Sequence, residues 1–130
     1  KDAVKNFGSS TITSYIETKE VSENKWEVYK YSGREKTGIN TVDWIKKVQD
    51  LGCGEILLTS VDYEGTQNGF DLKFLRRVFK LIKVPLVVSG GCGKINHIKE
   101  LKKNFSDISA AVSSVLHYNK TSIKDIKNNI

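Results

Sequence analysis

The fold of this chain is decided by the stretch Gly54-Glu55-Ile56-Leu57-Leu58-Thr59-Ser60-Val61-Asp62-Tyr63-Glu64-Gly65-Thr66. Residues 56–60 are apolar or small and uncharged, and turn residues follow them. An apolar run this short, rich in branched side chains, is typical of a strand buried on both faces. Asp62 follows where such a strand would surface, and parallel α/β proteins bind ligands at the carboxyl ends of their strands. Asp62 is therefore a candidate site residue, with capping of the next turn as the structural alternative.

Length and composition predict one soluble globular domain. The 130 residues are 38% apolar and 28% charged, and a chain of this size buries a core of its own. No apolar run approaches the roughly 20 residues of a membrane-spanning helix, and the start has no signal-peptide pattern. We therefore expect a cytoplasmic protein with no membrane partner. The chain starts at Lys1 and contains no methionine, which leaves open that it is a piece of a longer chain.

The net charge of +6 first suggests a nucleic-acid partner. The lysines fall mostly on predicted solvent-facing sides of helices, such as Lys99, Lys102 and Lys103, and no basic motif interleaved with aromatic residues occurs. We expect no nucleic-acid partner, and a modest positive field suits an anionic phosphate compound. Cys53 and Cys92 each lie in Gly-Cys-Gly without a second cysteine or histidine at ligand spacing, so no metal and no cofactor are expected.

Strand and helix patterns alternate along the chain. Strands are predicted at 9–17, 25–31, 56–61, 86–88 and 107–115, with the second forming a hairpin on the first and a polar loop at 32–38. Helices are predicted after caps at Asn40 or Thr41, at Asp71, at Asn96 and at Ser122. The helix after Asp71 is expected to span 72–82. Apart from the hairpin, each strand is followed by a helix, which predicts parallel pairing through right-handed crossovers.

Two architectures have this order of elements. A doubly wound sheet carries its glycine fingerprint after the first strand, where this chain has a hairpin and Ser-Gly-Arg instead. Here the glycine-rich turn follows the strand at 86–88, which favours the second half of a (β/α)8 barrel. We therefore predict an α/β chain of TIM-barrel type, with residues 1–130 forming a single (βα)4 half-barrel that corresponds to the C-terminal half of a longer barrel.

A phosphate site is predicted where two loops meet. In (β/α)8 barrels such a site is commonly formed by the loops after strands seven and eight and a short extra helix. Glycine lets main-chain N–H groups approach a phosphate more closely than a Cβ permits, and a helix N-terminus adds favourable charge. The alternative is that the glycines only make a tight turn. The predicted phosphate-binding residues are Gly90, Gly91, Gly93, Ser113 and Ser114.

A set of ordered motifs resembles the cyclase subunit of imidazole glycerol phosphate synthase, over nearly the whole chain and in the C-terminal half of that subunit's barrel. They are Thr37-Gly38, residues 52–62, Gly65-Thr66, Gly69-Phe70-Asp71, residues 88–94 and residues 115–118. The resemblance implies a lyase of histidine biosynthesis that accepts ammonia from a glutaminase subunit. Such an enzyme cleaves a phosphorylated ribulose aminoimidazole intermediate into imidazole glycerol phosphate and an aminoimidazole carboxamide ribotide.

The resemblance also implies roles for single residues. Glu17 takes the place of the family's second catalytic aspartate, a general acid or base at the end of barrel strand five. Glu55 resembles a charged gate at the bottom of the barrel, where ammonia enters. Five residues are expected to line the substrate site at the other end: Thr59, Asp62, Glu64, Gly65 and Ser89.

Two departures from the family pattern keep alternatives open. Glutamate stands at 17 and 64 where the family has aspartate, and misplacing a reacting group by about 1 Å costs on the order of 100-fold in rate. A relative that delivers ammonia in surface-sugar amidination is therefore the second enzyme candidate. Four βα units also leave unpaired sheet edges, so we expect pairing with an N-terminal half-barrel or a second copy. A non-catalytic, phosphate-binding assembly module is the third alternative.

Overall fold

In a computed structural model, which describes all residues 1–130, the chain forms one sheet of six strands with helices packed on it. The strand order is β3-β2-β1-β4-β5-β6. Strands β1, β4, β5 and β6 are parallel neighbours, whereas β2 and β3 extend the sheet as antiparallel strands. The predicted α/β class, with four parallel strands in half of a barrel, is confirmed. The strands are β1 (Thr13–Ser22), β2 (Lys25–Lys30), β3 (Glu35–Asn40), β4 (Glu55–Ser60), β5 (Leu86–Ser89) and β6 (Ile108–Ala110).

Helices connect the parallel strands. Two short 3-10 segments accompany them: Ser9–Thr11 precedes β1, and Phe79–Leu81 continues the helix that ends at Val78. None of the helices combines the length and the apolar character that crossing a bilayer requires. The helices are α1 (Asp2–Phe7), α2 (Thr41–Asp50), α3 (Leu72–Val78), α4 (Ile95–Asn104), α5 (Ser114–His117) and α6 (Ile123–Lys127).

The core lies on one face of the sheet. Alternate strand residues such as Leu58 and Val88 are buried there with helix residues such as Phe74 and Leu101. Burying one such side chain contributes about 1.5–3 kcal/mol to stability. The opposite face carries the residues between them in each strand, and Tyr15 on that face is 55% exposed. Because strand residues alternate between faces, the helix-covered face supplies the stability and the other face is left to hold polar site residues.

Three helices begin at the side-chain caps that the sequence predicted. The Asn40 carboxamide accepts hydrogen bonds from the N–H groups of the first turn of α2. The Asp71 carboxylate accepts one from the N–H of Phe74 at 2.9 Å. Ser122 precedes α6 and forms a capping box with Asp125. Caps of this kind satisfy N–H groups that have no partner inside the helix.

Several predicted element boundaries are wrong. Strand β1 runs from Thr13 to Ser22 rather than over 9–17, because its second half from Glu17 pairs with β2. The predicted loop at 32–38 is interrupted from residue 35, because residues 35–40 form β3 by pairing with β2 in turn. Strand β6 ends at Ala110 rather than at 115, since the chain leaves the sheet and buries Val115 in α5. Helix α3 ends at Val78 and continues only as a 3-10 turn.

The predicted cap of α4 at Asn96 is also wrong. The helix begins at Ile95, after Lys94 in extended conformation, and no side chain caps that position. Instead, the N–H of Gly93 donates to Nδ1 of His97 at 3.1 Å. The imidazole thus bridges the first turn of α4 and the glycine-rich loop. Asn96 lies inside the helix and has no capping role.

Besides the outer edge of β3, two stretches of the parallel strands lack a strand partner on one side. Strand β6 pairs only with β5, and the first residues of β1, from Thr13 to Ile16, pair only with β4. The hairpin strand β2 covers β1 only from Glu17 onward. Unpaired main-chain groups on sheet edges readily pair with further strands.

Candidate functional site

Three of the predicted site residues form one row across the sheet. Glu17 on β1 is in register with Thr59 on β4, and Thr59 is in register with Ser89 on β5. Residues in register point to the same face of a sheet, so the three polar side chains lie on the face that the helices leave uncovered. The row crosses the parallel strands near their carboxyl ends, where α/β proteins place ligands.

The Glu17 carboxylate is buried and held at both oxygens. Glu17 is 8% exposed. The Tyr15 hydroxyl donates to its Oε1 at 3.0 Å, and the N–H of Gly33 donates to its Oε2 at 3.1 Å. Hydrogen bonds to an ionised group are stronger than those between neutral groups. Strand β1 continues past Glu17, but this residue is next to the last that pairs with β4, so it still lies at the rim of the parallel sheet.

A turn in left-handed conformation brings Gly33 to Glu17. Tyr31, Ser32 and Gly33 all have positive φ, with values of 53, 57 and 73°. A Cβ at Gly33 would lie 2.3 Å from Cγ1 of Val61, at the end of β4. The position therefore requires glycine both for its backbone conformation and for its close packing.

A second part of the site is a cavity of about 140 Å³ between the loops after β5 and β6. It brings together seven of the predicted residues and adds Cys92, Ala111 and Val112. No lysine or arginine lines it, and Glu64 contributes the one ionisable carboxylate. The predicted residues in this cavity are Glu64, Gly65, Ser89, Gly90, Gly91, Ser113 and Ser114.

Four residues that line this cavity have main-chain N–H groups without a hydrogen-bond partner in the protein. The N–H groups of Gly90, Gly91, Ser113 and Ser114 donate no hydrogen bond to any main-chain or side-chain acceptor of the chain. Of the four residues Gly91 is buried, and buried main-chain N–H groups are almost always paired in folded proteins. A cluster of such donors in a concave loop is the type of site that holds a phosphate or another oxyanion.

The structure gives Gly90 and Gly91 a second reason to be glycine. Both have positive φ, and a Cβ at Gly91 would lie 1.8 Å from the main-chain oxygen of Gly69. A Cβ at Gly90 would lie 2.6 Å from the main-chain oxygen of Ser60. Tight packing of the loop on its neighbours thus explains these glycines by itself, and the case for an anion rests on the free N–H groups.

Gly93 and Asp62 do not line the cavity between the loops after β5 and β6, which we call the phosphate-type cavity. The N–H of Gly93 is occupied by Nδ1 of His97, and burial, followed by the nearby Lys94, lowers the pKa of His97 below its usual value. The imidazole is therefore neutral and accepts this bond. The Asp62 carboxylate accepts the N–H of Glu20 at 2.8 Å and lines a separate cavity of about 520 Å³ beside the β1–β2 hairpin. Asp62 thus fixes the hairpin to the loop after β4.

Glu55 lies at the other end of the sheet. It is the first residue of β4, and its Oε1 accepts a hydrogen bond from the Thr13 hydroxyl at 3.0 Å. Thr13 begins β1, so both residues mark the amino-terminal ends of their strands. This is the end opposite to Glu17 and the phosphate-type cavity.

Other ionisable groups near the site have structural roles. Burial raises the pKa of the Asp71 carboxyl, while the N–H of Phe74 and the Ser60 hydroxyl oppose the rise. Burial also raises the pKa of the Cys53 and Cys92 thiols. A thiol with a raised pKa is a poor nucleophile, so both cysteines are packing residues. No group of three or more His, Cys, Asp or Glu side chains is arranged to hold a metal ion.

Sequence reasoning missed Tyr15 and Gly33, the two partners of Glu17. The signal for Tyr15 was present, because a residue two positions before Glu17 in a strand lies on the same face. Gly33 stood in a loop recognised as polar and bounded by glycines, but nothing local linked that loop to Glu17. Only the pairing of β1 with β2 brings the two together.

Comparison with known proteins gives a consistent result. The family model described as histidine biosynthesis protein matches residues 1–122. The imidazole glycerol phosphate synthase subunit HisF of Bacillus cereus strain AH187 is 42% identical over 127 residues, which cover 98% of this chain and 50% of that protein. The subunit of strain ATCC 10987 is 41% identical over 126 residues, covering 97% of this chain and 50% of that protein. The chain spans about half the length of the curated relatives it matches.

Proposed function

The chain belongs to the histidine biosynthesis protein family, and from this premise we propose that it is half of the cyclase subunit of an imidazole glycerol phosphate synthase. In this proposal the complete enzyme is a lyase that uses ammonia from a glutaminase subunit. It cleaves a phosphorylated ribulose aminoimidazole intermediate and closes the imidazole ring, giving imidazole glycerol phosphate and an aminoimidazole carboxamide ribotide. We further propose a cytoplasmic location.

One observation carries this proposal. A buried carboxylate, Glu17, and a cavity with free main-chain N–H donors lie at the same end of the parallel strands, joined by Thr59 and Ser89 in the same row. An anion cradle binds the unreactive phosphate end of a substrate, which orients the rest of the molecule toward the carboxylate. Such orientation supplies a large part of enzymatic rate enhancement.

The chemistry proposed for Glu17 is proton transfer. Ammonia addition, cleavage of the carbon–nitrogen bond and ring closure each move protons, and a fixed carboxylate contributes about 10²- to 10⁴-fold in such steps. Glu64 lines the phosphate-type cavity, and we propose that it accepts a hydrogen bond from a substrate hydroxyl. Glu55, at the opposite end of the sheet, is proposed to contact the entering ammonia, with the glutaminase subunit docked at that end.

We propose that residues 1–130 form one half-barrel that pairs with a second half. The open outer edge of β6 and the uncovered start of β1, together with the exposed Tyr15 on the face without helices, support this arrangement. Pairing with an N-terminal half-barrel closes both edges. Sedimentation of the protein with and without such a half tests it, since a stable monomer with both edges open contradicts the proposal.

The proposed anion site is tested by placing a negative charge in the phosphate-type cavity. Ala111→Asp puts a carboxylate among the free N–H donors, whereas Ser109→Asp puts the same charge two residues earlier, on β6 and outside the cavity. We expect Ala111→Asp to abolish binding of inorganic phosphate in calorimetry and Ser109→Asp to leave it nearly unchanged. Equal loss in both variants, or no phosphate binding by the parent protein, contradicts the cradle.

The experiment for the reaction is complementation of a histidine auxotroph that lacks the cyclase subunit. We expect the full natural chain and its Glu100→Gln variant, altered at an exposed site on α4, to restore growth when ammonium is abundant. We expect Glu17→Gln to fail. The second candidate function, ammonia delivery in surface-sugar amidination, is favoured by the longer carboxylates at Glu17 and Glu64. Phosphate binding without complementation by the parent chain selects that candidate or the non-catalytic assembly module, and ammonium incorporation into a sugar acceptor separates the two.

A further inference from the structure

A cavity lined by tyrosines lies over Glu17. Its volume is about 350 Å³, and its lining includes Tyr15, Tyr29 and Tyr31 together with Glu17. Tyr15 precedes Glu17 by two residues on β1, and Tyr29 lies directly opposite Glu17 on β2. Neighbours in these two positions share a face of the sheet. The only buried carboxylate on this face therefore lies between Tyr15 on its own strand and Tyr29 on the neighbouring strand.

The hydroxyl groups of Tyr15 and Tyr29 differ in their hydrogen bonds. The Tyr15 hydroxyl donates to Oε1 of Glu17 at 3.0 Å, whereas the Tyr29 hydroxyl makes no hydrogen bond to a protein group. Burial raises the pKa of the Tyr15 hydroxyl; the Glu17 carboxylate adds to the rise, and the Thr59 hydroxyl opposes it. Tyr15 is thus a neutral donor at physiological pH, and the Thr59 side chain that adjoins it belongs to the same row as Glu17.

We infer that Tyr15 is a positioning residue that fixes the Glu17 carboxylate in its reactive orientation. This inference rests on the proposed role of Glu17. A glutamate carboxylate has three side-chain torsions, and in this strand one oxygen is held by Tyr15 and the other by the N–H of Gly33. Removing the Tyr15 bond frees rotation about the last torsion and leaves the Gly33 bond as a single pivot. Tyr15 itself need not touch the substrate.

The test compares two variants that each lose one hydroxyl from the same cavity. In the full natural chain, Tyr15→Phe is expected to lower kcat about 10- to 100-fold, the range for a lost hydrogen bond to a charged group, with KM changed less than about threefold. Tyr29→Phe, the matched control, is expected to change neither. In a Glu17→Gln background, Tyr15→Phe is expected to cause no further loss, because the group that it orients is gone.

Equal effects of Tyr15→Phe in the parent protein and in the Glu17→Gln variant, or a fall in kcat equally large in Tyr29→Phe, overturn the inference. A readout that does not depend on turnover separates this outcome from failure of the proposed function. In carbon-13 NMR spectra of the protein, the side-chain carboxylate signal of Glu17 is expected to move and broaden in Tyr15→Phe and to stay in Tyr29→Phe. An unmoved signal in both variants refutes the positioning role, whether or not the protein turns over the cyclase substrate.

Discussion

Gly33→Ala tests the turn that holds Glu17. The added Cβ would lie 2.3 Å from Cγ1 of Val61 at a backbone φ of 73°. The left-handed conformation costs an alanine about 1–2 kcal/mol, and forcing a methyl group into packed surroundings costs about 1–3 kcal/mol more. The free energy of unfolding is therefore expected to fall by about 2–5 kcal/mol, a large share of the roughly 5–15 kcal/mol of a typical domain.

Gly38→Ala is the matched control, because Gly38 has a φ of 74° and its Cβ would meet no atom within 4 Å. It bears the backbone cost alone, so we expect a loss of about 1–2 kcal/mol. Urea unfolding followed by circular dichroism measures both. With a slope of about 2 kcal/mol per molar urea, Gly33→Ala lowers the midpoint by about 1–2.5 M and Gly38→Ala by about 0.5–1 M. Equal losses in the two variants refute the packing of this turn against Val61.

Three further predictions concern charge and burial. Glu64→Gln is expected to raise the affinity for inorganic phosphate about threefold in calorimetry. The reason is that a unit charge about 6 Å away in water contributes about 0.7 kcal/mol of repulsion. Unchanged or weaker binding contradicts an anion in this cavity. Because burial raises the folded-state pKa of Asp71 above 3.8, its contribution to the free energy of unfolding falls as pH rises from 3.8 through the raised value. Asp71→Asn is expected to remove that decline in urea titrations carried out at a series of pH values above 3.8, and an unaltered pH dependence contradicts it. Cys53 and Cys92, buried with raised thiol pKa values, are expected to react with a disulfide reagent only after unfolding; rapid reaction of the native protein is the contrary result.

Features set by local chemistry were predictable from the sequence. The caps at Asn40, Asp71 and Ser122 depend on a side chain and the two or three residues after it, so the sequence pattern contains the needed information. The parallel order of β1, β4, β5 and β6 follows from the alternation of strands with helices. Element ends that depend on a distant partner were not predictable in this way. The extension of β1 past Glu17 depends on β2, and β3 exists only because β2 accepts it.

The same division applies to the candidate site. Glu17 was predicted at a strand end, and Thr59 and Ser89 were predicted to line the substrate site. The register brings the three into one row because parallel neighbours end at the same edge. Gly93 resembled its neighbouring glycines in sequence, yet its N–H is bonded to His97 one helical turn later. That bond depends on the rotamer of a side chain, which no spacing rule specifies. Glycine patterns therefore locate the loop, while hydrogen bonding decides which of its donors are free.

Glu17 is proposed to transfer protons for a substrate whose phosphate is held in the cavity between the loops after β5 and β6. The most direct measurement compares the parent chain with Glu17→Gln in ammonium-dependent formation of imidazole glycerol phosphate, alongside the affinity of both for inorganic phosphate. We predict a fall in kcat of about 10²- to 10⁴-fold with phosphate affinity unchanged. Retention of kcat within a few-fold in Glu17→Gln, at the same phosphate affinity, would contradict this role of Glu17.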